Sequence, residues 1–227
     1  MTTQPEEFTL LPLNFPDDAQ DILRMHYQIY LSDPLHSSLS STLQTPEQYT
    51  TPASHPPSRD SPNHTPFPQN WSSPPPPKQS TRDEKDKELR EDIEKRHEGG
   101  QAGRVYDMMR EDQGMNERLL GSGYEGRWWE LGALATDENF QRRGLGTRLA
   151  KWGLERIEED VRSWNVEIGE GRERIEGCYL VASPQGARTY EKAGFVKIGE
   201  REMGLDEGKY MHAWFVKRFE RTSWERT

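Results

Sequence analysis

Two glycines, two arginines and a glutamine stand together at Gln141-Arg142-Arg143-Gly144-Leu145-Gly146. They fall where a dense apolar run, Trp128 to Ala135, gives way to the helical spacing of Leu145, Leu149, Trp152 and Ile157. A strand–loop–helix junction of this kind has a definite chemistry. Amides in the first turn of a helix have no intrahelical partner and carry partial positive charge, so a phosphate or pyrophosphate satisfies them. Gly144 and Gly146 carry no Cβ and let the backbone approach such an anion closely. Arg142 and Arg143 add formal charge beside it. A lone G-x-G also occurs in ordinary turns, so the motif alone leaves both meanings open. The loop lacks the Lys-Ser/Thr of a P-loop and the third glycine of a dinucleotide fingerprint, which argues against an unrelated nucleotide-binding α/β domain.

Other reactive side chains are sparse. Cys178 is the single cysteine; it sits inside an apolar run with no histidine nearby in sequence and reads as core rather than nucleophile. One cysteine forms no internal disulfide, which fits a reducing compartment, the cytoplasm or the nucleus. His36, His55, His64 and His97 lack metal-ligand spacing, so no metal site is expected. The net charge of −9 argues against the broad attraction that nucleic acid or an anionic membrane needs. No apolar run approaches the length of a membrane span, and the polar, acidic start is not a signal peptide.

The elements that must position these residues are unevenly distributed. Only 31% of the 227 residues are hydrophobic and the mean hydropathy is −1.05, so part of the chain is expected to stay outside any core. Residues 1–44 read as a strand, Phe8 to Leu13, and a helix with Ala19, Ile22, Leu23, His26, Ile29 and Tyr30 on one face, ended by Asp33-Pro34. Residues 45–81 are rich in Pro, Ser, Thr, Gln and Asn and read as a disordered insertion. Residues 82–127 read as a charged helical insertion: Arg82 to Glu98 carries i,i+4 pairs such as Asp83/Lys87 and Glu91/Lys95 with little apolar face, and a short helix follows around Tyr106 to Met115. Residues 128–218 hold the remaining order: a buried strand over Trp128 to Ala135, a helix from Gly146 to about Arg162, a polar excursion from Asn165 to Gly177 and a buried strand over Cys178 to Ala182. A helix then opens at Ser183-Pro184 and closes at Gly194, and strands follow over Phe195 to Glu200 and Tyr210 to Val216. Residues 219–227 are a polar tail. Strand–helix–strand–helix–strand–strand is the order of a mixed α/β sheet.

Gln141-Arg-Arg-Gly-Leu-Gly146 resembles the Q/R-x-x-G-x-G/A signature of the GNAT N-acetyltransferases, and the combination of Ala182-Ser-Pro-Gln-Gly186 with Tyr190-Glu-Lys-Ala-Gly-Phe195 is similar to a group common in fungi. Two further blocks agree. The run Glu130-Leu-Gly-Ala-Leu-Ala-Thr136 precedes the loop at the family's spacing. Ala182-Ser-Pro-Gln-Gly186 followed by Tyr190-Glu-Lys-Ala-Gly-Phe195 resembles the family's second block. The likeness covers Trp128 to Val216, and more loosely Phe8 to Pro34.

That resemblance implies a GNAT-like acyl-CoA N-acyltransferase fold, with two parallel strands splayed around acetyl-CoA as cosubstrate. It implies that Gln141, Arg142, Arg143, Gly144, Leu145, Gly146 and Thr147 hold the pyrophosphate, and that backbone groups of Leu134, Ala135 and Thr136 pair with the pantetheine arm. Ser183 stands where many members contact that arm, although a helix N-cap is its first expected role. A primary amine would attack the thioester directly in a ternary complex. Tyr190 matches the tyrosine that protonates the leaving thiolate; a tyrosine merely packed on a helix face is the plainer role. Glu130, eleven residues before Gln141, matches the base glutamate of histone-type members; a structural carboxylate paired with Arg127 is the alternative, equally weighted. The family's antiparallel hairpin, which precedes the first of these blocks and frames the acceptor, has no counterpart between Leu43 and Trp128, where no run shows strand alternation. It is therefore expected to be lacking or degenerate. The alternative function is a catalytically impaired GNAT-fold protein that binds CoA or meets partners.

Overall fold

The computed structural model describes residues 8–11, 17–35, 82–96, 100–167, 174–205 and 208–220. The proline-rich segment at 45–81 and most of the tail lie outside them. In chain order the regular elements are α1 (Ala19–Ser32), α2 (Arg82–Arg96), α3 (Gly100–Leu120), β1 (Trp128–Glu130), α4 (Leu145–Glu167), β2 (Gly177–Ala182), α5 (Ala187–Ala193), β3 (Val196–Leu205) and β4 (Gly208–Arg218).

The four strands form one mixed sheet in the order β1-β2-β4-β3. β1 and β2 are parallel, with Glu130 opposite Tyr179. A parallel pair needs a crossover, which α4 supplies. β2–β4 and β3–β4 are antiparallel. β4 is interior and covered on both faces, so its sequence reads as a nearly continuous apolar run. Alternation sends Ala213 and Phe215 to one side and Tyr210, Trp214 and Val216 to the other. On the first side α4 and α5 bury Ala150, Leu154, Tyr190 and Ala193 against Cys178, Leu180, Ala182 and Phe215. On the second, α3 and the turn after it bury Leu120 and Tyr124 against Trp128, Tyr179 and Val216. Farther along, Ile93 of α2 and Val105 of α3 meet Met203, Tyr210 and Leu35.

Several sequence expectations change here. Phe8 to Leu11 forms no strand; the Phe8 ring instead packs edge-on to Phe140 at 6.2 Å, and among the described residues no neighbouring strand offers it a ladder. The run from Trp128 to Ala135 is a strand only to Glu130. One further ladder bond, from the Leu131 amide to the Tyr179 carbonyl at 2.9 Å, is made beyond it. Beyond that bond the segment pairs with no strand among the described residues, and Leu131 and Leu134 pack partly buried against the α4 face, so apolarity there reports packing and not pairing. The expected short helix near Tyr106 runs the 21 residues of α3. Gly103 and Gly114 weaken its local signal, and tertiary contact overrides their low propensity. α2 is charged as expected, yet Ile93 is buried and Leu89 packs beside it. α5 begins at Ala187, after a turn at residues 184–186, rather than at Pro184. Gly194 ends it as expected, in the left-handed conformation at φ 92°.

Candidate functional site

The polar loop after β1 is held by its own side chains. Asp137 accepts from the Asn139 amide at 2.9 Å and from the Asn139 side chain at 3.0 Å. Gln141 Nε2 donates to the Thr136 carbonyl at 3.1 Å, so the first residue of the signature ties the loop's end to its start. Arg143 donates to the Asn139 carbonyl at 3.2 Å and lies over the Phe140 ring. Arg142 is exposed and left-handed at φ 61°, and Gly144 is left-handed at φ 80°. A non-glycine residue in that region is uncommon. Alternation of this sort turns successive amides toward one concave, anion-binding side.

α4 starts directly from this loop. The Arg148 amide donates to the Gly144 carbonyl at 3.0 Å, so the amides of Leu145, Gly146 and Thr147 precede the helical ladder and are donors for an anion. A Cβ on Gly146 would lie 3.3 Å from Thr189 Cγ2 and 3.4 Å from Thr136 Oγ1. The absent side chain thus lets the start of α4 seat between the end of the β1 segment and α5. Thr189 is the residue before Tyr190, which brings the signature loop and the candidate acid to neighbouring positions. These donors, glycines and arginines fit a pyrophosphate.

The Tyr190 ring is buried, edge-on to Phe195 at 5.9 Å and tilted against Phe215 at 6.2 Å. Burial pushes its phenol up from the ordinary value, so it keeps its proton at neutral pH. Leu134, Ala135 and Thr136 are half-buried between β1 and the loop. β2 continues from Leu180 to Ala182 paired only with β4. Past Leu131, then, backbone groups on this side of β2 are not used by the ladder between β1 and β2. Ser183 closes β2 and accepts from the Gly186 amide at 3.2 Å, capping the turn that leads into α5. Beside it lies the Tyr210 hydroxyl, which donates to Asp33 at 2.7 Å and ties the end of α1 to the sheet.

Glu130 departs from the sequence expectation of a buried carboxylate. Its side chain is exposed, because the strand ends there. It accepts a hydrogen bond from the Tyr179 hydroxyl at 2.9 Å. Arg127, the alternative structural partner, instead pairs with Glu176 and donates to the Leu120 and Ser122 carbonyls. Glu176 also takes Arg218 at 2.8 Å. Tyr179 went unnoticed in the sequence, although parallel pairing of two apolar runs is the one signal that could have placed it opposite Glu130.

Cys178 is buried, and desolvation pushes its thiol up to about 12; it is a core residue, as its surroundings in sequence suggest. Among the described residues no strand pairs with the outer edge of β1 and no cluster of His, Cys, Asp or Glu has the makings of a metal site.

No curated protein matches the chain. The family model described as the acetyltransferase (GNAT) family matches residues 67–195, a stretch that takes in α2, α3, β1, the signature loop, α4, β2 and α5. With more than half of its 227 residues inside that match, and a mixed α/β sheet around the loop, the chain belongs to the GNAT family of acetyltransferases.

Proposed function

We propose that the protein is an N-acetyltransferase that moves an acetyl group from acetyl-CoA to a primary amine by direct attack in a ternary complex. The observation that carries this is the seating of the loop–α4 junction against α5 at Gly146, which puts anion-binding amides next to the helix of Tyr190. Arg142 and the amides of Gly144 to Thr147 bind the pyrophosphate. Gln141 and Arg143 hold the loop, and backbone groups of Leu134, Ala135 and Thr136 receive the pantetheine arm, with Ser183 at the far end.

Glu130 takes a proton from the incoming ammonium. The freed lone pair forms a C–N bond to the thioester carbonyl carbon, the C–S bond breaks, and the thiolate takes the proton of Tyr190. The amide nitrogen sheds its second proton, and Tyr190 is reprotonated from the Glu130 carboxyl or from solvent. The products are the acetylamide, CoA and one released proton. An exposed carboxylate at the site favours a cationic acceptor.

Thiol release from acetyl-CoA over a panel of primary amines tests the reaction. Acetyl-CoA is expected to raise the melting temperature by mass action, by an amount equivalent to ~2.7 kcal/mol at a hundredfold excess over Kd. No shift at millimolar acetyl-CoA sinks the proposal. One observation favours a second reading, a GNAT-fold protein that binds CoA without turnover: the outer edge of β1 pairs with no strand among the described residues, so the acceptor side has less framing than the cofactor side. Binding of CoA with no turnover on any amine selects it.

A further inference from the structure

β1 has two edges, and among the described residues only one of them is paired. Hydrogen bonds in a parallel pair fall on alternate residues of a strand. On the β2 side the Arg127 carbonyl accepts from the Glu176 amide at 2.7 Å, and the Leu131 amide donates to the Tyr179 carbonyl at 2.9 Å. Arg127, Trp129 and Leu131 therefore turn main-chain groups toward β2, and Trp128 and Glu130 turn theirs the other way. Trp128 is buried, so the accessible stretch of this outer edge begins at Glu130 and runs on into Gly132 and Ala133, all three exposed. Amides and carbonyls turned outward along an edge are a template for one more strand.

Three features decide which strand fits. The first is room. A Cβ on Gly132 would meet nothing within 4 Å, and a glycine in an extended run lets another backbone approach closely. The second is charge. Glu130 accepts from the Tyr179 hydroxyl at 2.9 Å, and among the described residues no cation pairs with it, Arg127 being engaged by Glu176. Burial pushes the Tyr124 phenol up, and the carboxylates of Glu125 and Glu130 add to it, so two acids lie on this side of the sheet. The third is reach. Trp128 packs on the α3 face with Tyr124 and Tyr179, and alternation gives Glu130 that same face. A side chain directly opposite Glu130 on an added strand points the same way. Strands lie about 4.8 Å apart, a distance that the four-carbon stem of a lysine covers. A lysine there passes Glu130 and runs toward the gap that opens between β1 and β2 past Leu131.

We propose that the outer edge of β1, from Glu130 to Ala133, is a docking site for an extended, basic, lysine-bearing peptide, which adds a strand there and lays its ammonium against the Glu130 carboxylate. Main-chain bonds supply affinity, and the acidic face selects the side chains. A free small amine matches the charge and leaves the main-chain groups unused. A peptide uses both, and brings to the acceptor side the strand that the sequence lacks between Leu43 and Trp128. Acetylation of that lysine rests on the function proposed above, whereas the docking does not.

The test uses the full chain and a short peptide blocked at both ends, with a central lysine and flanking arginines. Hydrogen exchange of the Glu130 and Gly132 amides is followed by NMR. Both are expected to exchange readily in the free chain and to slow by about tenfold or more at saturating peptide. An added strand turns only every second amide to the edge. Of two peptides N-methylated at alternate amides, one in each register, one should therefore keep the protection and the other lose it. In thiol release from acetyl-CoA, kcat/KM for the peptide should exceed that for a blocked single lysine by about tenfold or more, the worth of one or two main-chain hydrogen bonds. Amides already protected in the free chain mean that another segment or a second copy holds the edge, and overturn the proposal. A peptide that leaves the Glu130 amide unprotected, protection that ignores the register of methylation, or equal kcat/KM for peptide and blocked lysine overturns it as well. Register-dependent protection without any acetyl transfer keeps the docking site and sinks the acetyltransferase reading, which separates the two ideas.

Discussion

The two faces of the sheet are built on different principles. Under α4 and α5 the contacts are largely apolar, with Leu154, Leu180, Phe195 and Phe215 in one cluster with Tyr190, and the polar residues of the signature loop are exposed. Under α3 hydrogen bonds run from Trp214 to Asn116 and from Asn116 to Tyr124, and Tyr179 separately donates to Glu130. Near the far end of β4, Arg201 and His212 converge on Asp112, the former at 2.6 Å and the latter at 3.3 Å. Apolar packing tolerates approximate fits, whereas a buried polar chain is either complete or costly. The face under α4 and α5 thus depends on shape, and the face under α3 depends on buried polar groups that keep their partners, Asn116 above all.

The sharpest way to break that comparison is at the Tyr190 hydroxyl on the apolar face. Tyr190→Phe removes a hydroxyl for which no hydrogen bond is made among the described residues. It should therefore leave the fold and CoA binding in place while lowering kcat by roughly a hundredfold or more, the usual contribution of a general acid. Single-turnover acetyl transfer and CoA titration on the same preparation read both quantities. A kcat within twofold of the parent chain makes Tyr190 a packing residue.

On the other face the expected effect is on folding. Asn116→Ala leaves a fully buried indole N–H and a tyrosine hydroxyl without their partner, at a cost of about 2–3 kcal/mol. Urea unfolding should show a lower midpoint with an unchanged slope. A loss below about 0.5 kcal/mol would mean that water replaces the amide, and the contrast between the faces would dissolve.

The apolar face and its loop were largely readable in the sequence, and the threaded face was not, for a physical reason. Gln141 to Gly146, Tyr190 and Gly194 are local signals: a loop's amides, glycines and caps depend on residues within a few positions. The seating of Gly146 against Thr189, by contrast, joins residues far apart in the chain. Asn116 sits in a helix whose glycines hide its period, and it serves Trp214 from 98 residues away. Glu130 and Tyr179 are 49 residues apart and meet only because β1 and β2 are parallel. The burial expected of Glu130 failed because an apolar run fixes which residues pack without fixing where the ladder stops.

A smaller effect sharpens the shape argument at the loop. In Gly146→Ala the new methyl must push Thr189 or Thr136 aside by a few tenths of an ångström. Overpacking at that seam is expected to weaken CoA binding about tenfold, or ~1.4 kcal/mol, with little change in stability. Calorimetric titration with CoA measures it, and unchanged affinity shows that the seam yields without disturbing the amides.

The smallest effect lies in the apolar interior itself. Desolvation raises the Cys178 thiol from 9.0 to about 12. Its folded value is raised, so its contribution is complete below the unfolded value and fades as pH rises from about 9 toward 12. At pH 9.5 the loss should be under about 1 kcal/mol. Tyr190, Tyr179 and Tyr124 are also pushed up by burial and titrate later, from above their ordinary value of 10, so the thiol is isolated by comparing the chain with Cys178→Ala. Urea midpoints at pH 7.5 and 9.5 should fall further in the parent than in the variant. Equal falls would mean that the thiol reaches water in the native state, and that the apolar face is less closed than its packing makes it.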